Sequence, residues 1–420
     1  MNELIRIKDF ACLPSMEVEL KDFSLIIGPQ ATGKSILAKL LFYFKSVIWQ
    51  IPSAAEQDFD KRDFDVFLLK RFEEFFPQQS WGKKSFHLEY IFGTYFVKIW
   101  RDYSARRDSL KIEYSRIINL ELLRFRRQLR PSQLEKEQPA DVTAPPTYRL
   151  REEMLDRFSA ENKRIAFRQV FIPAGRSFFA NLQSNIFSFL SGNNALDPFL
   201  KEFGSLYESI KRSYTRVMSR TDDNKAFLAE SNALIEQLLH GKYVFEKGKD
   251  YLDVADGRRV NLSNCSSGQQ ETLPLVMMMQ RLTSISRTRG ATIYIEEPEA
   301  HLFPTSQRIV LELIVLAFNR AFPWMQIFIT THSPYVITAL NNLIEAASRY
   351  NSLNGAQKAK LAKVIPKERS IALSSITAYS LTREGCSSIV DPETNLIETE
   401  LIDKVSEELA LQFDALLALE

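Results

Sequence analysis

Eight residues near the start of the chain, Gly28-Pro29-Gln30-Ala31-Thr32-Gly33-Lys34-Ser35, constrain the fold more than any other feature. They match G-x-x-x-x-G-K-[ST], a loop that works only between a strand ending at a sheet edge and a helix beginning there. Both neighbours are present: residues 23–27 (FSLII) read as a buried strand, and residues 36–50 carry apolar side chains at helical spacing. Glycines let backbone N–H groups turn inward around phosphates, and the helix N-terminus near Ser35 adds its dipole. The expected binding set is Gly28 through Ser35 together with Ile36. Lys34 is placed to reach β- and γ-phosphates, and Ser35 to ligate Mg²⁺, so ATP and Mg²⁺ are the expected cofactors.

The 420 residues exceed what one small core needs, and two or three lobes are expected. With 45% hydrophobic and 25% charged residues the chain has an ordinary globular composition, and a formal charge of +2 gives no global attraction to nucleic acid or membrane. Cys12, Cys265 and Cys386 are odd in number and far apart, which fits neither a disulfide framework nor a zinc site. No apolar stretch has signal-peptide or membrane-span length, so a cytoplasmic protein with no membrane partner is expected.

Alternating apolar residues around 4–7 and 16–20 suggest two half-exposed strands, and short β-like runs recur between 86 and 115. Residues 116–137, 148–168 and 196–239 read as helix, with an exposed proline-containing loop at 138–147 and a strand at 170–173. Residues 243–263 resemble a β-meander turning at Lys247-Gly248 and Asp256-Gly257. Helix (268–287), strand (291–296), helix (305–320), strand (326–331) and helix (334–347) then alternate, implying parallel strands with crossover helices. Short strands at 375–390 and a helix from about 400 to 418 close the chain. The expected fold is α/β, a mixed or parallel sheet with an antiparallel β subdomain and an inserted helical lobe. The expected division is 1–100, an N-terminal lobe with the phosphate loop; 101–240, a helical insertion; and 241–420, a C-terminal lobe.

The run ATIYIE ends in Glu296-Glu297-Pro298-Glu299, so carboxylates emerge where nucleotides bind on parallel sheets. Glu296, last on the strand, is placed to hold Mg²⁺, and Glu297 to act as general base on the attacking water. His332, at the end of the following strand, is placed to contact the γ-phosphate. His301 in EAHLFP has a weaker claim. Asn264-Cys265-Ser266-Ser267-Gly268-Gln269-Gln270 opens a helix and offers hydroxyls and N–H groups to an anion, though a simple helix cap reads the same way. Between 101 and 130, Arg101, Arg106, Arg107, Lys111, Arg116, Arg124, Arg126, Arg127 and Arg130 are interleaved with Tyr103, Tyr114 and Phe125. Such a stretch suits nucleic acid or an acidic partner, or else is a solvated helix face.

In order, GPQATGKS, CSSGQQ, TIYIEEPEAHLFP and TTHSP resemble the motifs of ABC ATPases of the SMC and RecF branch, most closely the compact AAA15/AAA21-type, OLD-like ATPases. The closing segment ITAYSLTREGCSSIVDPETNLIETELIDKVSEEL is similar as well. The resemblance implies an ABC ATPase head and a head-to-tail homodimer or larger homo-oligomer. Ser266, Ser267, Gly268 and Gln269 of one copy would cover the γ-phosphate held by the other. Lys34, Glu297 and His332 would be catalytic, and Ser35 and Glu296 would hold the metal. FIPAGRS (171–177) is similar to a segment joining the two lobes of these ATPases, which makes Gln169 or Arg176 a candidate for sensing the γ-phosphate, or else a structural strand end. Glu296 replaces a commoner aspartate and Ser267 a commoner glycine, both usual in the OLD-like branch. Standalone ATPases of this description occur in antiphage systems of the Septu, PARIS and retron-associated types. A sensor subunit controlling a separate nuclease or toxin is thereby implied. A DNA-clamping repair or chromosome-maintenance ATPase is the alternative.

Overall fold

A computed structural model describes residues 2–104, 107–129, 146–181, 197–217, 225–399 and 410–417. Its centre is a six-stranded sheet built from β3 (Phe23–Ile27), β7 (Arg168–Ile172), β11 (Ala291–Glu296), β12 (Met325–Thr331), β13 (Ile376–Leu381) and β14 (Cys386–Ser388). The order is β14-β13-β3-β12-β11-β7, with all neighbours parallel except the β13–β14 pair. The ends of β3, β12 and β11 therefore share one edge, and the loops that follow them meet there.

These three strands are buried along their whole length and mostly apolar because both faces are covered. Leu25, Ile27, Ile293, Ile295, Ile327 and Ile329 enter one core with helices Ser267–Arg289 and Pro304–Ala321. Ile26, Tyr294 and Phe328 point the other way, into a second core with helix Lys34–Ser46 and an antiparallel sheet. That sheet, ordered β2-β1-β4-β5-β6, joins β1 (Glu3–Lys8), β2 (Met16–Leu20), β4 (Phe86–Phe92), β5 (Tyr95–Ser104) and β6 (Arg107–Tyr114). The meander forms a third sheet of β8 (Lys242–Glu246), β9 (Lys249–Asp253) and β10 (Arg259–Asn261). Lys247, Gly248 and Gly257 take positive φ at its two turns.

A buried polar knot fastens the antiparallel sheet to the central one. Glu3 accepts from Lys45 and from the Tyr90 hydroxyl (2.8 Å), while Gln326 donates to Glu3 (2.8 Å) and accepts from Thr292 (3.0 Å). Burial lowers the Lys45 pKa, opposed by Glu3. Breaking such a buried pair by removing one partner costs about 3–5 kcal/mol.

The boundary expected at 100/101 falls inside β5, and the 101–240 segment supplies β6 to the antiparallel sheet and the edge strand β7 to the central one. Residues 101–240 are therefore woven into both sheets rather than set apart as a helical lobe. Their helices are Arg116–Gln128, Pro146–Glu161, Pro198–Val217 and Lys225–Leu239; the helix expected over 148–168 stops at Glu161, a 3-10 turn covers Lys163–Ala166, and Arg168 already belongs to β7. Most of the expected loop 138–147 lies outside the described residues, as does the first half of the closing helix; residues 410–417 are helical. Among the described residues no helix is long and apolar enough to cross a membrane.

Candidate functional site

The phosphate loop leaves β3 at Gly28, where a Cβ would lie 2.0 Å from the backbone oxygen of Leu381 on the neighbouring strand, so only glycine fits. Pro29, Gln30 and Ala31 form the exposed crest, and Thr32 is buried with its hydroxyl donating to Pro29 O (3.0 Å). Gly33 caps the helix in the left-handed region (φ 98°), and no side chain caps the helix amides. The first-turn N–H groups, those of Lys34, Ser35 and Ile36, are thus left for an external acceptor. The Lys34 ammonium folds back onto Gly28 O (2.7 Å) and Pro29 O (2.6 Å), and the Ser35 side chain is exposed at the sheet edge. Burial lowers the Lys34 pKa, opposed by the charges of Glu297 and Glu299.

Glu296 ends β11 almost fully buried. Its Oε2 accepts from Ala174 N (3.2 Å), and its Oε1 has no hydrogen-bond partner. Burial raises its pKa, with Ser35, Lys39 and the Ala174 N–H pulling the other way. An orphaned, buried carboxylate oxygen beside a serine hydroxyl and a phosphate loop fits a hard cation. Among the described residues no three His, Cys, Asp or Glu converge to hold a metal.

Glu297 follows in the left-handed region (φ 42°), held by its N–H donating to Thr330 O (2.8 Å). This turn swings its carboxylate outward, about a third exposed, where Oε1 stands 3.6 Å from His332 Nδ1. Glu299, buried, accepts from the Thr331 hydroxyl (2.6 Å) and from His332 N (2.9 Å), and its Oε1 is 3.5 Å from His332 Nδ1. His332 therefore stands between two carboxylates, with Glu299 tying its backbone to the acidic turn. Sequence reading saw Glu299 only as one of an acidic group; its spacing from Glu297 across Pro298 was the available signal.

The structure brings Lys34, Ser35, Glu296, Glu297 and His332 to one edge. Ser266, Ser267, Gly268 and Gln269 open a helix beside the loop that follows the acidic turn. Ser266 is the N-cap of its helix in a capping box with Gln269, whose Nε2 also donates to Leu239 O (2.6 Å). A Cβ on Gly268 would lie 2.8 Å from His301 O, so this helix start presses on the loop that follows the acidic turn. No hydrogen bond among the described residues joins Ser266 through Gln269 to the phosphate loop.

Neither candidate phosphate sensor is free for that role. Gln169 sits early in β7, donating to Phe167 O (2.6 Å) and accepting from the Tyr294 hydroxyl (2.8 Å). Arg176 is completely buried and spends its donors on main-chain oxygens. A sequence reading cannot distinguish such an internal arginine from one awaiting an anion.

Four of the nine basic residues between 101 and 130 are paired internally. Arg101 pairs with Asp108 (2.6 Å), Lys111 with Asp102 (2.8 Å), Arg124 with Glu121 (2.7 Å) and Arg126 with Asp58 (2.7 Å). Tyr114 and Phe125 are buried, so they offer no face to a base. Arg106 and Arg130 lie outside the described residues, as does the Arg107 side chain.

No curated protein matches the sequence. Among solved structures the chain is similar to the SMC head domain from Thermotoga maritima (11% identity, TM-score 0.36, covering 92% of this chain and 98% of that one). It is also similar to the Smc head domain with an extended coiled coil bound to the C-terminal domain of ScpA, derived from Pyrococcus furiosus (13%, TM-score 0.38, 97% and 99%). A third similar structure is the recombination mediator protein RecF with ATPrS (10%, TM-score 0.34, 93% and 98%). Residues 176–337, which hold the acidic turn, Ser266 through Gln269 and His332, match the AAA_15 family of AAA ATPase domains.

Proposed function

We propose that the chain binds and hydrolyses ATP at the shared edge of its central sheet, in a site that a second copy completes. The observation that carries this reading is the buried, partnerless Glu296 Oε1 beside Ser35, one residue from a phosphate-loop lysine and one from the outward Glu297. Ser35 and Glu296 would hold Mg²⁺, which when bound supplies charge neutralisation on the phosphates. Lys34 turns from the loop carbonyls to the β- and γ-phosphate oxygens. Glu297 takes the proton of the attacking water, and His332, steadied by Glu299, donates toward the γ-phosphate. Ser266 and Gly268 act across the interface, on the γ-phosphate held by the other copy.

The wider role follows from the motif order and the closing segment, which resemble standalone ATPases of antiphage systems. In this reading nucleotide-driven closure holds or releases a separate nuclease or toxin. A DNA-clamping repair or chromosome-maintenance ATPase is equally compatible with the fold. Lys34→Ala should abolish nucleotide binding, and Glu297→Gln should bind ATP but hydrolyse it at least about a hundredfold more slowly. Fluorescent-nucleotide titration and phosphate release measure both, and normal turnover in Glu297→Gln would remove that residue from the base role. Co-purification of an effector protein supports the regulatory reading; recovery of DNA with DNA-stimulated hydrolysis replaces it by the clamp.

A further inference from the structure

Arg176 heads the fully buried side chains by size, and burying a guanidinium is costly unless every donor is met. Here the donors are met by three separate pieces of the protein. Nε donates to Glu271 O (3.0 Å) and lies 3.5 Å from Glu271 Oε2. Nη1 donates to Pro173 O and to Glu296 O (both 2.8 Å), and Nη2 to Glu297 O (3.1 Å). The Glu271 carboxylate answers by accepting from Arg176 N (2.8 Å) and Ser177 N (3.0 Å). Burial lowers the arginine's pKa, opposed first by Glu271, but the contacts alone define the clamp.

Glu271 lies one turn into the helix that Ser266 caps. At the other end of the clamp, Nη1 and Nη2 grip successive carbonyls, Glu296 O and Glu297 O, and so fix the two peptide planes that flank the left-handed Glu297. We infer that Arg176 is a positioning residue that transmits the position of the Ser266–Gln269 helix, through Glu271, to the carboxylate of Glu297. A helix drawn toward a nucleotide on a second copy pulls Glu271, and the rigid guanidinium fork carries that displacement to the turn. A lysine, with a single point of charge, cannot span both carbonyls.

This inference rests on reading Glu297 as the general base. It is tested by steady-state hydrolysis and MgATP affinity of Glu271→Gln, Arg176→Lys, Glu297→Gln and the Glu271→Gln/Glu297→Gln double variant. Both single changes in the clamp should lower kcat about tenfold to a hundredfold while shifting nucleotide affinity less than about twofold. Glu271→Gln should add nothing to Glu297→Gln, because residues acting through one another are not additive. Wild-type kcat in both clamp variants, a fully additive double variant, or failure of both clamp variants to fold would overturn the inference, the last by making the pair a mere buttress. If the wild type hydrolyses and the clamp variants match it, only this inference falls. If the wild type does not hydrolyse ATP, the proposed function falls first.

Discussion

Glu297 occupies a backbone region that costs a non-glycine residue about 1–2 kcal/mol, and its carbonyl is gripped by Arg176 while its N–H is fixed to Thr330 O. Strain at this position is tolerable because the surrounding hydrogen bonds over-determine the turn. Glu297→Gly should therefore be more stable than Glu297→Ala by about 1 kcal/mol, although both lose the carboxylate, and chemical denaturation measures the difference. The opposite ranking would mean that the turn is not strained. Glu296 makes a second prediction at this scale. Burial lets the folded state hold its proton to higher pH than the unfolded chain, so its own contribution to stability is lost as pH rises from the ordinary carboxyl range through its raised value. Mg²⁺ must displace the same proton. With a non-hydrolysable ATP analogue, the extra rise in Tm caused by Mg²⁺ should grow with pH across that interval and vanish in Glu296→Gln. A pH-independent rise would separate Glu296 from the metal.

At the scale of elements, the segments best read from sequence were those buried on both faces. ATIYIE and MQIFITT are buried along their whole length and mostly apolar because a parallel sheet covered on either side leaves no exposed face, and their boundaries agree with β11 and β12 within a residue. The phosphate loop was legible because its chemistry demands a fixed spacing. β5 and β6 were seen as β-like, but their membership of one antiparallel sheet depends on long-range register, which local pattern does not encode. The clamp between Arg176 and Glu271 was likewise invisible, since 95 residues separate two charges that look ordinary in isolation. Gly268 shows how one element constrains another. A Cβ there would sit 2.8 Å from His301 O, a backbone atom that moves only with its loop. Gly268→Ala should force the helix start away from the loop and cost about 1–3 kcal/mol of stability, read as a lower denaturation midpoint. An unchanged midpoint would show that the loop yields freely.

For the whole molecule, the proposed trans role of Ser266 becomes a statement about assembly. Two copies arranged head to tail contain two sites, each with the phosphate loop of one copy and the Ser266 helix of the other, whereas a single copy working alone would use both from the same chain. Lys34→Ala and Ser266→Arg distinguish the arrangements because they disable different halves. Alone, each variant should be inactive. Mixed in equal amounts with free exchange, half of the dimers pair one variant with the other. In each of these, one site has both defects and the second has neither, so about a quarter of the wild-type rate should return. That recovery should fall on dilution as dimers dissociate, in parallel with the specific activity of the wild type. Two inactive variants that stay inactive when mixed, beside a wild type whose specific activity ignores concentration, would place both halves of the site in one chain.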